Sequence, residues 1–265
     1  MPPELELDLT RSIEENAGHY FELSKKAKKK LKGAEAALEE SRKKLRELQQ
    51  QEEKFLEVEQ QKQQLREQKS SRQKEWYEKF HWFISSEGFL CFGGKDATSN
   101  EVVIKKHLEK DDVVFHTDMA GSPFFIVQNG QNAAAATLQE AAQATAIYSK
   151  AWKLGHTTAD VFCINPEQVS KEAQAGEYIS KGSFMIYGKK QYFRPQLECA
   201  IGLKDGRIIG GPVAAITAQT SQYIIIVVGD EKKSSLAKKI KAKLQGGELD
   251  DIIKFLPAGE GKIKK

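Results

Sequence analysis

The run Trp76-Tyr77-Glu78-Lys79-Phe80-His81-Trp82-Phe83 divides this 265-residue chain into two unlike parts. Before it the sequence is dominated by Lys, Glu, Gln, Arg, Leu and Ala, and after it the composition is that of a globular core. The expected use of the aromatic cluster is to dock the end of a helix onto the following domain, because Trp and Phe are large buried contributors wherever they occur. Stacking on RNA bases is the alternative use of the same rings.

Upstream, residues 11–80 contain no proline and, past Gly18, only Gly33. Leu31, Leu38 and Leu45 repeat every seven residues, Leu48 and Phe55 continue the pattern, and Val58 and Leu65 are again seven apart. That is a short, imperfect coiled-coil signature. One straight helix satisfies it, and so does an antiparallel hairpin turning near Gln49-Gln50-Gln51. The hairpin is expected, because it buries both stripes against each other, although no Gly or Pro marks the turn.

Downstream, element types alternate. Strands are expected at Phe89–Phe92, Asp112–His116, Phe124–Gln128, Val161–Ile164, Phe184–Tyr187 and Leu197–Leu203. Helices are expected from Thr98 to Leu108 and from Thr137 to Trp152, each opened by a capping box, Thr98-x-x-Glu101 and Thr137-x-x-Glu140. Asp205-Gly206 reads as a hairpin turn leading to a strand from Arg207 to Ile209. Tyr223–Val228 is the strongest strand pattern, read as buried on both faces. Helices near 233–244 and 248–255 follow, and Gly259–Lys265 reads as a loose basic tail. The expected architecture is α+β: a long helical coiled-coil arm over 1–80 joined to a compact mixed α/β domain over 81–265, with a sub-boundary near 196.

The net charge is +4, but its placement matters more. Residues 1–18 carry net −4, 19–80 net +5, 81–200 net −2 and 201–265 net +5. Basic flanks around a near-neutral centre suit phosphate backbones, and equally suit solvated helix faces. No run of about 18 apolar residues exists, so no membrane span is expected. Cys91, Cys163 and Cys199 are odd in number, far apart and set in apolar runs. They read as buried thiols in a reducing compartment, the cytosol, and not as a zinc or disulfide framework.

Three constellations could carry chemistry. Gly93-Gly94-Lys95-Asp96 sits between a strand and a helix, where free N–H groups and the lysine charge would favour a phosphate. It is neither a Walker A loop nor G-x-G-x-x-G, and an ordinary glycine turn with a surface lysine reads the same. His116-x-Asp118 would place both side chains on one strand face, as an acid–base pair or as a structural hydrogen bond. No Ser or Cys nucleophile motif stands beside it, and no spacing supplies a further metal ligand. From Lys171 to Arg194, Lys171, Lys181, Lys189 and Lys190 interleave with glycines and with Tyr178, Phe184, Tyr187, Tyr192 and Phe193. That composition suits a nucleic-acid surface, as it does a lysine-rich hairpin.

Several strings then converge. The segment from Lys74 to Leu108, the segment from Asp112 to Val127, and the segment from Gln168 to Lys190 resemble, in order, the C-terminal RNA-binding domain of the NFACT family. The upstream segment from Leu5 to Glu39 is similar to the start of that family's coiled-coil middle segment in an archaeal-type sequence. The positions matching the signature are Gly94, Lys95, Asp96, Asn100, His116, Asp118, Gly121, Lys171, Gly176, Gly182 and Lys189. Lys95 stands where the family usually has Arg, which keeps the charge but loses the bidentate fork.

The resemblance implies a cytosolic ribosome quality-control factor. Such a factor binds the large ribosomal subunit after a stall, recognises obstructing peptidyl-tRNA and helps recruit tRNA. It implies RNA as partner, no cofactor and no metal. The family's N-terminal domain and helix–hairpin–helix element are not visible, so a fragment or truncated member is expected. The expected RNA- or phosphate-binding residues are Gly94, Lys95, Asp96, Asn100, His116, Asp118, Lys171, Lys181, Lys189 and Lys190. Two other readings compete with this non-catalytic one. One is a phosphate-handling hydrolase built on His116, Asp118 and Lys95, and the other is a scaffold whose coiled coil binds protein partners.

Overall fold

The computed structural model describes residues 6–70, 75–170 and 182–264, and it divides into two units, Met1–Gln73 and Lys74–Lys265. Lys171, Lys181, Gly176 and Tyr178 lie outside the described residues.

In the first unit a single helix, α1 (Ile13–Ser70), runs for 58 residues, about 87 Å at 1.5 Å per residue. It starts with a reciprocal cap: the Glu15 N–H donates to Ser12 Oγ (3.2 Å) and the Ser12 N–H donates to Glu15 Oε2 (2.9 Å). Gln49, Gln50 and Gln51 lie within this helix, so the expected turn is not there. Glutamine is a good helix former, and with no Gly or Pro nothing local breaks the hydrogen-bond ladder. Leu31, Leu38, Leu45 and Leu48 remain exposed along it.

The second unit begins with a 3₁₀ turn (Trp76–Lys79). There follow β1 (His81–Ile84), β2 (Leu90–Gly93), α2 (Ala97–His107), β3 (Val113–Thr117), β4 (Phe125–Val127), α3 (Ala135–Ile147), α4 (Lys150–Lys153) and β5 (Val161–Ile164). Next come β6 (Val169–Ser170), β7 (Met185–Ile186), β8 (Gln191–Phe193), β9 (Glu198–Lys204), β10 (Arg207–Pro212) and α5 (Val213–Thr217). The chain closes with β11 (Tyr223–Glu231), α6 (Lys233–Leu244), α7 (Leu249–Phe255) and β12 (Gly261–Ile263).

Among the described residues the strands form a six-stranded sheet ordered β1-β2-β4-β3-β5-β8, a four-stranded sheet ordered β10-β9-β11-β12, and the pair β6-β7. Every pairing is antiparallel. Strand alternation sorts the six-stranded sheet into two faces. Phe83, Cys91, Phe125, Val127, Phe115 and Val161 pack on α3 and on the second sheet in the largest core cluster, which also holds Ile201, Ile226 and Ile240. Phe92, Ile126, Val114 and Phe162 face the other way, toward α2 and the β6-β7 pair. All three cysteines are buried and free.

Several local expectations differ from what forms. The aromatic run is not a helix end: after one 3₁₀ turn it becomes the edge strand β1. The capping box of α2 lies two residues earlier than expected, on Asp96 and Ser99, because Asp96 reaches the N3 amide and Ser99 answers it. Helix α3 begins at Ala135 and ends at Ile147, where Ser149 caps the separate turn α4. Its N-terminus is capped from a distance, by the Glu87 carboxylate accepting from the Thr137 N–H (3.1 Å) and hydroxyl. Strand β11 buries Ile224 and Ile226 but leaves Tyr223 exposed and Ile225 half-buried, a one-sided strand. The tail is not loose, since β12 pairs with β11. The Asp205-Gly206 turn has the expected positive φ at both residues (49° and 75°).

Candidate nucleic-acid interface

The loop from Gly93 to Asp96 is built around Asn100, which is itself buried. The Phe124 N–H donates to Asn100 Oδ1 (3.0 Å), and Asn100 Nδ2 donates to the Ser122 carbonyl (3.2 Å). A Cβ at position 94 would come within 2.1 Å of Asn100 Oδ1, so only glycine lets the loop pass. The Lys95 and Asp96 N–H groups both donate to Ser99 Oγ (2.7 and 2.8 Å), and the Ser99 N–H donates to Asp96 Oδ1 (2.8 Å). The amides expected to cradle a phosphate are therefore taken by Ser99 and by the Asp96 carboxylate. Gly94, Asp96 and Asn100 shape the loop, and Lys95 is an exposed residue within it. Gly182 belongs to the same construction: its φ is +78°, and a Cβ there would stand 2.5 Å from Ala97 Cα.

His116 and Asp118 do not pair with each other. The Asp118 carboxylate accepts from Lys190 Nζ (3.0 Å) and from the Tyr192 hydroxyl (3.3 Å). His116 stacks on Phe124 at 4.1 Å between centroids. Burial pushes its imidazole down to about 4, against the opposing help of the Thr117 and Ser122 backbone and of Asp118, so the ring is neutral at pH 7. Strand β3 ends at Thr117, so the same-face rule that would join His116 to Asp118 stops one residue short.

What assembles instead is a row across three strands. His116 on β3 stands opposite Phe162 on β5, and Phe162 stands opposite Tyr192 on β8. Lys190 Nζ sits 4.0 Å from the centre of the Phe162 ring, a cation–π contact. Phe184 meets Phe124 edge-on from β7's side (5.3 Å). Phe162 is buried, whereas Tyr192 is 55% exposed and Tyr187 39%. Lys189 is exposed beside them, and its carbonyl and that of Tyr187 accept from Gln168 Nε2 (2.9 and 2.7 Å), which fixes the loop between β7 and β8. Sequence reading named Lys189, Lys190, Tyr187 and Tyr192 within one stretch. It missed Phe162, because its place beneath Lys190 depends on a pairing between strands distant in sequence.

The hydrolase reading needs His116, Asp118 and Lys95 in one pocket. A cleft of about 580 Å³ lies beside Asp118, but its walls are formed by residues such as His156, Asp160 and Arg194, and neither His116 nor Lys95 lines it. Among the described residues no group of three His, Cys, Asp or Glu side chains is placed to hold a metal. The thiols are poor nucleophiles: burial raises all three, Cys199 to about 12.

Exposed tyrosine and lysine side chains side by side on a sheet are the kind of surface that suits a polyanion. Residues 79–188 match the family model described as the NFACT protein RNA binding domain. The chain belongs to the NFACT family. It is 36% identical over 206 residues to the archaeal Rqc2 homolog aRqcH of Methanocaldococcus jannaschii, covering 75% of this chain and 31% of that one. It is 34% identical over 212 residues to the ribosome quality control complex subunit NEMF homolog of Drosophila melanogaster, covering 75% and 20%. Human ribosome quality control complex subunit NEMF is 33% identical over 186 residues, covering 68% and 16%. The chain thus spans about a third or less of the length of these relatives. The matched segment contains Gly94 to Asn100, His116 and Asp118, while Lys189, Lys190 and Tyr192 follow directly after it. No described helix is long and apolar enough to cross a membrane.

Proposed function

We propose that this chain is an RNA-binding part of a cytoplasmic ribosome quality-control factor. In this reading it holds large-subunit RNA, or the tRNA of a stalled peptidyl-tRNA complex, without altering it. The observation that carries the reading is the cross-strand row His116–Phe162–Tyr192 with Lys190 seated on it and Lys189 beside it. An exposed tyrosine offers a stacking surface worth about 1–3 kcal/mol per base, and the lysines supply backbone attraction. Lys171 and Lys181 enter the proposal from their sequence pattern alone. The names of the relatives, all ribosome quality-control proteins, support the setting. The basic arm contributes charge, and its open leucine stripe suits a protein partner.

The test is co-sedimentation of the chain with purified large ribosomal subunits, with free tRNA as competitor. The chain is expected to pellet with subunits at low salt and to be released by tRNA and by rising salt. Pelleting that ignores salt and tRNA, or its absence, contradicts the reading. Removing residues 19–75 separates the arm's part: RNA binding by the core persists, whereas capture of a protein partner is lost.

A further inference from the structure

The β5–β8 register continues past the end of both strands. Val161 stands opposite Phe193, and the same spacing brings Asp160 opposite Arg194 and then Thr158 opposite Gln196, where an isolated antiparallel bridge forms. Across the middle step Arg194 Nε lies 3.6 Å from Asp160 Oδ1. Asp160 and Arg194 are two residues along the chain from Phe162 and Tyr192, so they continue the aromatic row about 7 Å further on. Asp118, just past the end of β3, ties this charged step to the row, since it accepts from Lys190 Nζ (3.0 Å) and from the Tyr192 hydroxyl (3.3 Å).

The cleft of about 580 Å³ lies at this charged step. Asp118, Asp160 and Arg194 line it with side chains that are more than half exposed, whereas Ala151 is buried and Met119 half-buried. The cleft thus has a charged rim and an apolar floor, and its volume falls within the range of about 300–1,000 Å³ that small-ligand sites occupy. Each rim carboxylate already has its cation, Lys190 for Asp118 and Arg194 for Asp160. A charge-balanced rim above an apolar floor suits a base with its ribose better than a bare phosphate, which needs an excess of positive charge.

We propose that one nucleotide of the bound RNA strand turns out of the stack at Tyr192 and enters this cleft, its base resting on Met119 and Ala151 and covered by the Arg194 guanidinium. This rests on the RNA-binding reading and deepens it. A single strand has no pairing partner to give up, so turning out one base costs only its stacking. An arginine plane stacks on a base face much as an aromatic ring does, and Asp160 holds that plane at the rim through Nε. Asp118 and Asp160 keep acceptor capacity beyond their cations, which favours a base bearing an amino group over uracil. Asp118 also joins the two surfaces, because the carboxylate that lines the cleft is the one that holds Lys190 and Tyr192.

The test uses the full chain and adenine-rich RNAs of about eight nucleotides, with fluorescent 2-aminopurine placed at each position in turn. Among the described residues no Tyr, Trp or Phe lines the cleft, so a base inside it escapes quenching by a ring. At saturation the native chain is expected to raise the fluorescence about threefold at one position of the scan. Asp160→Asn/Arg194→Gln, both at exposed positions, abolishes that rise and weakens binding about tenfold. Lys189→Gln, outside the cleft, weakens binding and keeps the rise. Uracil in place of adenine at the responding position weakens native binding about fivefold and leaves Asp160→Asn/Arg194→Gln indifferent. Urea midpoints read whether the variants keep their fold, and the scan of the native chain does not depend on them. RNA bound with no rise at any position overturns the cleft and leaves the RNA-binding reading standing, as does a rise that Asp160→Asn/Arg194→Gln retains in full. Binding of adenosine monophosphate that Asp160→Asn/Arg194→Gln loses, with no rise from any RNA, overturns the RNA assignment in favour of a free nucleotide. Failure of every form to bind RNA or the mononucleotide sinks both readings.

Discussion

Asn100 is buried where a ligand-binding side chain would be open to water. Its amide serves two backbone groups, the Phe124 N–H and the Ser122 carbonyl, and Asn100→Ala orphans both. The expected cost is about 2–4 kcal/mol of unfolding free energy in urea, with little effect on RNA affinity once folded. An unchanged midpoint contradicts this account of the loop. The histidines make a second residue-scale prediction. Both folded-state values, about 4 for His116 and about 3 for His81, lie below the unfolded value near 6.5. As pH falls the unfolded chain takes the protons first, so their contribution is complete above about pH 6.5 and is lost progressively toward the folded values. Between pH 7 and pH 5 each is expected to cost about 2 kcal/mol, and His81→Phe removes its share of that slope. A urea midpoint equal at both pH values contradicts the burial of these rings. The residue types of the site were legible in sequence, but their roles were not. His116-x-Asp118 has the spacing of a pair, and only the end of β3 at Thr117, together with the arrival of Lys190 from residues distant in sequence, gives Asp118 a different partner.

Elements with strong local signals matched expectation closely: β3, β4, β5 and α6 fall within a residue or two of their hydrophobic patterns. The ones missed are short or depend on distant partners. Strand β8 is three residues on a sheet edge, and β1 is an aromatic run without a clear period of two. The cap of α3 comes from Glu87, fifty residues upstream, which no local box could show. Glu87→Ala leaves the Thr137 amide without its acceptor, while the Thr137 hydroxyl keeps Ser85 Oγ (3.0 Å), and the expected loss is about 1–3 kcal/mol in urea unfolding. The tail is the clearest case: Gly259–Lys265 has a disordered composition, yet Gly261–Ile263 pairs with β11 and the Trp152 Nε1–H donates to the Glu260 carbonyl (2.9 Å). Truncation after Pro257 is expected to destabilise the domain by about 2–4 kcal/mol and to raise the solvent exposure of Trp152, read by its fluorescence. A truncated chain as stable as the native one contradicts the role given to β12.

At the scale of the whole molecule, the α+β character and the presence of a helical arm could be read from composition, because neither Gly nor Pro occurs between Gly33 and Gly88 and the aromatics gather at the end of that stretch. The arm's geometry could not be read, since heptads specify a buried stripe and not what buries it. The most direct measurement of the central claim is the affinity of the full chain for single-stranded RNA across a salt series, compared with Lys189→Ala/Lys190→Ala/Tyr192→Ala. The account predicts that log K falls linearly with log salt in the native chain. In the variant it predicts a slope shallower by about 1.4, the share of two phosphate contacts at about 0.7 each, and an affinity at least tenfold weaker. Equal slopes and equal affinities in the two proteins would contradict it.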